Sequence, residues 1–159
     1  MFTFSKNKKM SKEEKYQEIY PQIASVVEGE PDLIANMANM AALLHEQFGF
    51  WWTGFYRVDS ADELVLGPFQ GPVACRRIRM GRGVCGTAWA TDTTQVVPDV
   101  DQFPGHIACS SESKSEIVVP VHDAKGNTIA VLDIDSAEYA TFDDTDQRWL
   151  EKIVSLLTA

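Results

Sequence analysis

Hydrophobic positions near the start of the chain recur at helical spacing in two separate stretches. Ser11 followed by Glu14 forms a capping-box signature for a first helix, which Pro21 is expected to bend or divide. The apolar face of that helix comprises Tyr16, Ile19, Tyr20, Ile23 and Val27. A second helix is predicted with Pro31 in its first turn and Gly49 at its end. Its apolar positions are Leu33, Met37, Met40, Leu44 and Phe48.

From Phe50 onward the apolar spacing changes to the alternation that is typical of strands. Strands are predicted over residues 50–58, 63–67, 73–79, 95–97, 116–122 and 128–135. A short helix is expected over residues 85–90, and a long loop over residues 98–114. Asp143 or Asp144 is expected to cap a last helix. Its inward-facing positions are Trp149, Leu150, Ile153, Leu156 and Leu157.

Helices at both ends of the chain and a mostly antiparallel sheet between them predict an α+β layered domain. The chain has 159 residues, 45% of them hydrophobic, which suffices for one domain that needs no disulfide or metal to fold. No internal repeat or low-complexity linker divides it. We expect residues 1–10 to form a flexible lead-in and residues 11–159 to form the domain.

The charge balance excludes several classes of partner. The chain carries 14 Lys and Arg residues against 23 Asp and Glu residues, a net charge of −9 at pH 7. Such a surface repels phosphate backbones and anionic bilayers, so neither nucleic acid nor a membrane is expected as a partner. The opening sequence MFTFSKNKKM lacks the apolar segment of a signal peptide. A cytoplasmic location is therefore expected.

Two carboxylates fall on one face of the last predicted strand. Asp133 and Asp135 alternate there with Leu132 and Ile134, which share the opposite face. One interpretation is a strand end in water; the other is a confined pocket that binds an ammonium group or holds a proton. In such a pocket at least one carboxyl pKa rises. Glu116, which opens the neighbouring strand, is either an exposed entry residue or the third carboxylate of this site.

An aromatic run opens the first predicted strand. Alternation puts Trp52, Gly54 and Tyr56 on one face, opposite Trp51 and Phe55. Such a strand can contribute only to a core, or it can have the core on one side and a pocket on the other. Gly54 leaves a gap that a small ligand or another stretch of backbone can enter.

The chain has three widely spaced cysteines, Cys75, Cys85 and Cys109. Their odd number argues against a secreted disulfide scaffold, and buried structural thiols are the default interpretation. Cys109 lies in the long polar loop, which is the best position for reaction. Cys85 lies at a predicted helix start, where backbone N–H groups and Arg82 are expected to favour a thiolate. Cys75 lies beside two arginines.

A metal site has weak support in the sequence. His106 and Cys109 have the spacing of a ligand pair, but no second pair supplies the remaining donors. His45 and His122 are expected to be packing or surface residues. We therefore predict no metal.

Four segments together have a specific resemblance. LGPFQGPVACRRI, GRGVCGTAWA, GHIACSSESKSEIVVP and VLDIDS resemble the free methionine-(R)-sulfoxide reductase family of GAF-domain proteins. The likeness runs from about Leu33 to the last helix and includes all three cysteines. It implies a single GAF-like domain, whose central sheet is flanked by the N- and C-terminal helices.

The resemblance also implies a reaction and the residues that perform it. Cys109 attacks the sulfoxide sulfur and becomes a sulfenic acid, and either Cys75 or Cys85 then forms a disulfide with it. The implied substrate-binding residues are Trp52, Tyr56, Glu116, Asp133 and Asp135. Glu116 or Asp135 supplies a proton, and the remaining carboxylates hold the substrate ammonium group. The implied partners are free methionine (R)-sulfoxide, a thioredoxin-type dithiol reductant and a second copy of the chain; no cofactor is implied.

Two other functions remain open at this point. The GAF fold commonly serves as a small-ligand sensor, and a zinc-stabilised structural protein would also use cysteines. Only the enzyme is expected to lose thiols when free methionine sulfoxide is added.

Overall fold

The structure, a computed structural model, describes residues 10–106 and 112–158. The helices of this part are α1 (Lys12–Val27), α2 (Leu33–Phe48), α3 (Gly83–Thr91) and α4 (Asp144–Val154). The strands are β1 (Trp52–Ser60), β2 (Glu63–Gln70), β3 (Arg77–Arg79), β4 (Gln95–Val97), β5 (Ser115–His122) and β6 (Thr128–Ser136). They form a six-stranded sheet in the order β3-β2-β1-β6-β5-β4. Every pairing is antiparallel, which confirms the predicted α+β class.

The sheet separates two hydrophobic cores. Side chains of α1, α2 and α4 pack in one core, and α3 packs on the opposite face of the sheet. Alternation along β6 sends Leu132 and Ile134 to the first core and Val131 to the second. The N- and C-terminal helices thus share one face and contact each other. The face that carries α3 is left for the candidate site.

The predicted helix ends are confirmed where a side chain or a glycine defines them. Ser11 forms a capping box with Glu14 at the start of α1, and Asp143 forms one at the start of α4. Gly49 ends α2 in the left-handed region with φ of 68°.

Both proline predictions need correction. Pro21 lies inside α1, which continues as one helix, so the predicted division is wrong. The buried face of α1 continues past the proline with Ile23, and this packing offsets the lost backbone hydrogen bond. Pro31 is not in the first turn of α2, because the Asp32 side chain accepts a hydrogen bond from the Ala35 N–H and acts as the N-cap.

Two loop regions also differ from the prediction. Only Arg77–Arg79 of the predicted strand 73–79 pairs with β2, and residues 71–76 form an irregular segment. The predicted loop 98–114 contains a short 3-10 turn at Val100–Gln102.

Within residues 10–106 and 112–158, no helix has both the length and the apolar character needed to cross a bilayer.

Candidate functional site

A small cavity of about 60 Å³ lies on the α3 face of the sheet. Six of the predicted catalytic and substrate-binding residues are among those that line it. They are Trp52, Tyr56, Cys85, Glu116, Asp133 and Asp135. These residues come from β1, α3, β5 and β6, so the antiparallel pairing of distant segments assembles the site.

Strand register brings the three carboxyl groups together. Glu116 of β5 lies directly opposite Asp135 of β6, and Asp133 follows on the same face of β6. Glu116 and Asp133 are each only 6% exposed, and Asp135 is partly exposed. The carboxylates therefore line a confined pocket, and the interpretation as a solvated strand end is wrong.

Burial separates the proton affinities of these groups. Burial, followed by the neighbouring charge of Asp133, raises the pKa of Glu116 and of Asp135 well above the ordinary carboxyl range. Burial also raises the pKa of Asp133, but hydrogen bonds from the Glu116 carboxyl and the Cys85 thiol oppose that rise. Burial thus favours a proton on Glu116 and on Asp135, whereas the two hydrogen bonds favour the ionised form of Asp133.

The surroundings of Cys85 favour the neutral thiol, contrary to the thiolate expected from its position. It lies in the first turn of α3 as predicted, and it is a free cysteine buried against the carboxyl cluster. Burial, followed by the charge of Asp133, raises the pKa of Cys85 well above its ordinary value. Desolvation and the adjacent carboxyl groups outweigh the favourable field of the helix N-terminus.

Stacked aromatic rings form one wall of the cavity. The Trp52 ring stacks on Tyr56 and on Phe69, with centroid distances of 5.9 and 5.2 Å. A Cβ atom at Gly54 would collide with Phe69 and with the Trp52 ring, so neighbouring protein atoms fill the predicted gap. Trp51 also lines the cavity, although strand alternation predicts it on the opposite face from Trp52. Because Trp51 precedes β1, that alternation does not apply to it.

The same aromatic residues hold the irregular segment 71–76, a relationship that the sequence analysis missed. Trp52 Nε1 donates to the Pro72 carbonyl at 3.0 Å, and the Tyr56 hydroxyl donates to the Cys75 carbonyl at 2.8 Å. These side chains replace the strand ladder that was predicted there. Cys75 itself is disulfide-bonded, and Val73 beside it is 89% exposed.

Cys109 lies outside the described residues, but the residues on either side of this gap reach the cavity. His106 and Ser113 both line it, and Ser113 Oγ donates to Asp135 Oδ1 at 2.8 Å. Nothing in the sequence distinguished Ser113 from the other serines of its loop.

The other two histidines lie elsewhere. His45 Nδ1 contacts Thr53 Oγ1 at 3.0 Å, and His122 forms an exposed pair with Asp92.

Among the described residues, the group that could ligate a metal ion comprises Cys85, Glu116 and Asp133.

Comparison with known proteins agrees with this architecture. The GAF domain family matches residues 32–159. GAF domain-containing protein A of Dictyostelium discoideum is 58% identical over 149 residues, which cover 94% of each chain. The free methionine-R-sulfoxide reductase of Saccharomyces cerevisiae is 42% identical over 155 residues, which cover 93% of this chain and 86% of the relative.

A solved structure extends the match to three dimensions. It is the free methionine-R-sulfoxide reductase of Neisseria meningitidis in complex with its substrate, and it superposes with a TM-score of 0.93 at 54% identity. The match covers 99% of this chain and 92% of that one. The resemblance seen in the sequence motifs is thereby confirmed, and the chain belongs to the free methionine-R-sulfoxide reductase family of GAF-domain proteins.

Proposed function

We propose that this chain reduces free methionine (R)-sulfoxide to methionine by thiol chemistry. The observation that carries the proposal is the cavity that is lined by the three-carboxyl cluster and by the stacked aromatic wall. The reductase names of the yeast and Neisseria relatives support the same activity.

The cavity has the groups needed to bind a free amino acid that carries a sulfoxide. Asp133, whose ionised form is favoured by two hydrogen bonds, is suited to the substrate ammonium group. The rings of Trp52 and Tyr56 are suited to the methyl group on sulfur. A methionine within a peptide lacks the ammonium group, so the enclosed Asp133 favours the free amino acid.

Glu116 and Asp135 are suited to supply the proton. The sulfur of a sulfoxide becomes electrophilic when its oxygen is protonated or strongly hydrogen-bonded. Because burial raises the pKa of both carboxyls, it favours the protonated forms, which can donate to that oxygen. Ser113, which lies four positions after Cys109 in the sequence, donates a hydrogen bond to Asp135 and orients it.

Cys109 is the proposed nucleophile. Its thiol takes the oxygen of the sulfoxide, so methionine leaves and Cys109 becomes a sulfenic acid. The Cys75 thiol then condenses with that sulfenic acid, which forms a disulfide and releases water. Cys85 is a free, buried thiol whereas Cys75 is disulfide-bonded, and this difference favours Cys75 as the resolving cysteine.

An external dithiol of the thioredoxin type is the proposed reductant. It would restore both thiols and carry away the two electrons as its own disulfide. The exposure of Val73 leaves the segment around Cys75 open to such a partner. Because these dithiols maintain the reducing cytoplasm, the reaction belongs to that compartment. The homodimer implied by the resemblance also stays a proposal.

Thiol titration with free methionine (R)-sulfoxide tests this function. The reduced protein and its Cys85→Ser variant should each lose about two thiols per chain, because one disulfide consumes a pair. Cys75→Ser should lose about one thiol and accumulate a sulfenic acid that dimedone traps. Cys109→Ser should lose none and should release no methionine. Substantial methionine release by Cys109→Ser would overturn the nucleophile assignment.

Two substrate controls complete the test. N-acetylated methionine sulfoxide and the (S) epimer should leave the thiol count unchanged, since the first lacks the ammonium group and the second has the wrong hand. A protein that binds the free (R)-sulfoxide but keeps all its thiols would instead be a sensor.

A further inference from the structure

The carboxyl cluster adjoins a buried thiol, Cys85, to which the proposed reduction gives no role. Three possible ligand atoms lie within 4.8 Å of one another: the sulfur of Cys85 and one carboxylate oxygen each from Glu116 and Asp133. All three residues are buried. They stand on α3, β5 and β6 respectively, so three packed elements hold them. A thiol and two carboxyls held this closely constitute a three-ligand cup that opens toward the cavity.

An independent observation points to a cation. Asp133 Oδ1 is buried and has no hydrogen-bond partner among the described residues, although the residue is only 6% exposed. An unpartnered buried carboxylate oxygen is costly, because no hydrogen bond to that atom offsets its desolvation. A positively charged ligand in the cavity would supply the missing contact.

The ligand types select the kind of cation. A thiolate together with carboxylate oxygens suits a borderline-soft divalent ion, whereas magnesium and calcium prefer oxygen ligands alone. Zinc takes thiolate sulfur at about 2.3 Å and carboxylate oxygen at about 2.0–2.2 Å, with a fourth position open to water or another ligand. The three ligand atoms lie within 4.8 Å of one another, so they would have to move closer together to meet those distances.

Charge balance also favours such an ion. Three ionised ligands would carry three negative charges in the buried site. A divalent ion would offset two of them and leave a net charge of −1.

We propose that Cys85, Glu116 and Asp133 bind a divalent ion of the zinc class in the cavity. The bound ion contacts the Asp133 oxygen and fills the space that the sulfoxide would need, so it acts as a reversible inhibitor. The inhibition rests on the proposed function, whereas the binding itself does not.

Cobalt(II) is a suitable spectroscopic probe. Titration of the reduced protein under anaerobic conditions should give a thiolate-to-cobalt charge-transfer band that saturates at about one ion per chain and that zinc abolishes. Calorimetry in buffers of different ionisation enthalpy should report proton release on binding, because the ligands bind as thiolate and carboxylate. Affinity should therefore rise with pH.

Matched variants locate the site. Cys85→Ser should lose the band, and Cys75→Ser, which removes a thiol outside the cup, should retain it. Asp133→Asn and Glu116→Gln preserve shape and should each weaken binding by more than about tenfold, since even residues that only hold ligands in place change metal affinity by about 10–100-fold. A band that survives in Cys85→Ser, or normal affinity in both carboxamide variants, would overturn the site.

Competition separates this inference from the proposed function. In the Cys109→Ser variant, free methionine sulfoxide should weaken cobalt binding because both ligands need Asp133. Cobalt binding that depends on Cys85 but ignores the sulfoxide would support the metal site and count against the proposed substrate.

Discussion

The hydroxyl group of Tyr56 donates a hydrogen bond of 2.8 Å to the backbone carbonyl of Cys75, which ties the cavity wall to a disulfide-bonded cysteine. Burial raises the pKa of Tyr56, so the hydroxyl remains a donor throughout the physiological range. Trp52 makes the second anchor of the same segment through Pro72. Side chains proposed to bind the substrate methyl group therefore also position the proposed resolving cysteine.

Tyr56→Phe should slow the resolving step and leave substrate binding unchanged. The variant keeps the ring that faces the cavity and loses only the anchor of the Cys75 segment. We expect disulfide formation to slow about two- to tenfold, the factor equivalent to one hydrogen bond of about 0.5–1.5 kcal/mol. Stopped-flow measurement of methionine release and of disulfide formation separates the two steps.

Two further readouts check the positioning role of Tyr56. The sulfenic acid should live longer in Tyr56→Phe, which dimedone trapping at fixed times can measure, and KM should stay near the wild-type value. An equal slowing of methionine release would instead assign the hydroxyl to the first chemical step.

Asp135→Asn should remove a proton donor. General acids contribute about 100- to 10,000-fold to rate, so methionine release in a single turnover should fall by about 100-fold or more. In the wild type this step should lose rate as the pH rises through the raised pKa of the acid. The variant should not show this loss of rate at high pH. If the loss persists in the variant, or if the variant keeps the wild-type rate, the proton donor would be Glu116 instead.

Asp133→Asn should weaken substrate binding more than it slows the chemical step. The variant keeps the shape of the side chain and loses the charge proposed to pair with the substrate ammonium. A hydrogen bond to a charged group is worth about 1.5–3 kcal/mol, so KM should rise about 10- to 100-fold. Single-turnover methionine release at saturating sulfoxide should change little. A large loss of that rate with an unchanged KM would argue against the ammonium contact.

Much of the carboxyl site could be predicted from one strand. The alternation of Asp133 and Asp135 with Leu132 and Ile134 correctly indicated two acids on one face. The sequence could not show whether that face is exposed to solvent or buried. Its burial depends on α3, which covers the face, and on the strand pairing that sets Glu116 opposite Asp135. These are contacts between distant segments, which local periodicity does not encode.

The sequence also misjudged Cys85, for a physical reason. Its place at a helix start was predicted correctly, and the helix field alone would favour a thiolate. The burial and the three adjacent carboxyls that reverse this effect belong to the tertiary structure. The hydrogen bond from Tyr56 to Cys75 was missed likewise, because it joins a side chain to a backbone carbonyl 19 positions away.

Glu116→Gln should stabilise the fold while it impairs activity. The folded chain raises the pKa of Glu116, so it binds the proton more tightly than the unfolded chain does. Unfolding then releases protons, and the free energy of unfolding falls as the pH rises from the ordinary carboxyl range through the raised pKa. Gln cannot ionise, so the variant should gain about 0.5–2 kcal/mol at pH 8. Urea unfolding at pH 5 and pH 8 should show a difference that grows with pH.

Asp146 should matter for stability alone, because it lies on the face of the sheet opposite the site. It accepts hydrogen bonds from the buried Tyr16 hydroxyl at 2.7 Å and from Lys12 at 2.6 Å, and it joins α1 to α4. Asp146→Ala leaves the Tyr16 hydroxyl buried without a partner, which should cost about 1–3 kcal/mol. Asp144→Ala is the matched control, since this exposed neighbour should change stability by less than about 0.5 kcal/mol. Both variants should keep the wild-type KM and rate at 25 °C; a lost rate in folded Asp146→Ala would show that the two faces are coupled.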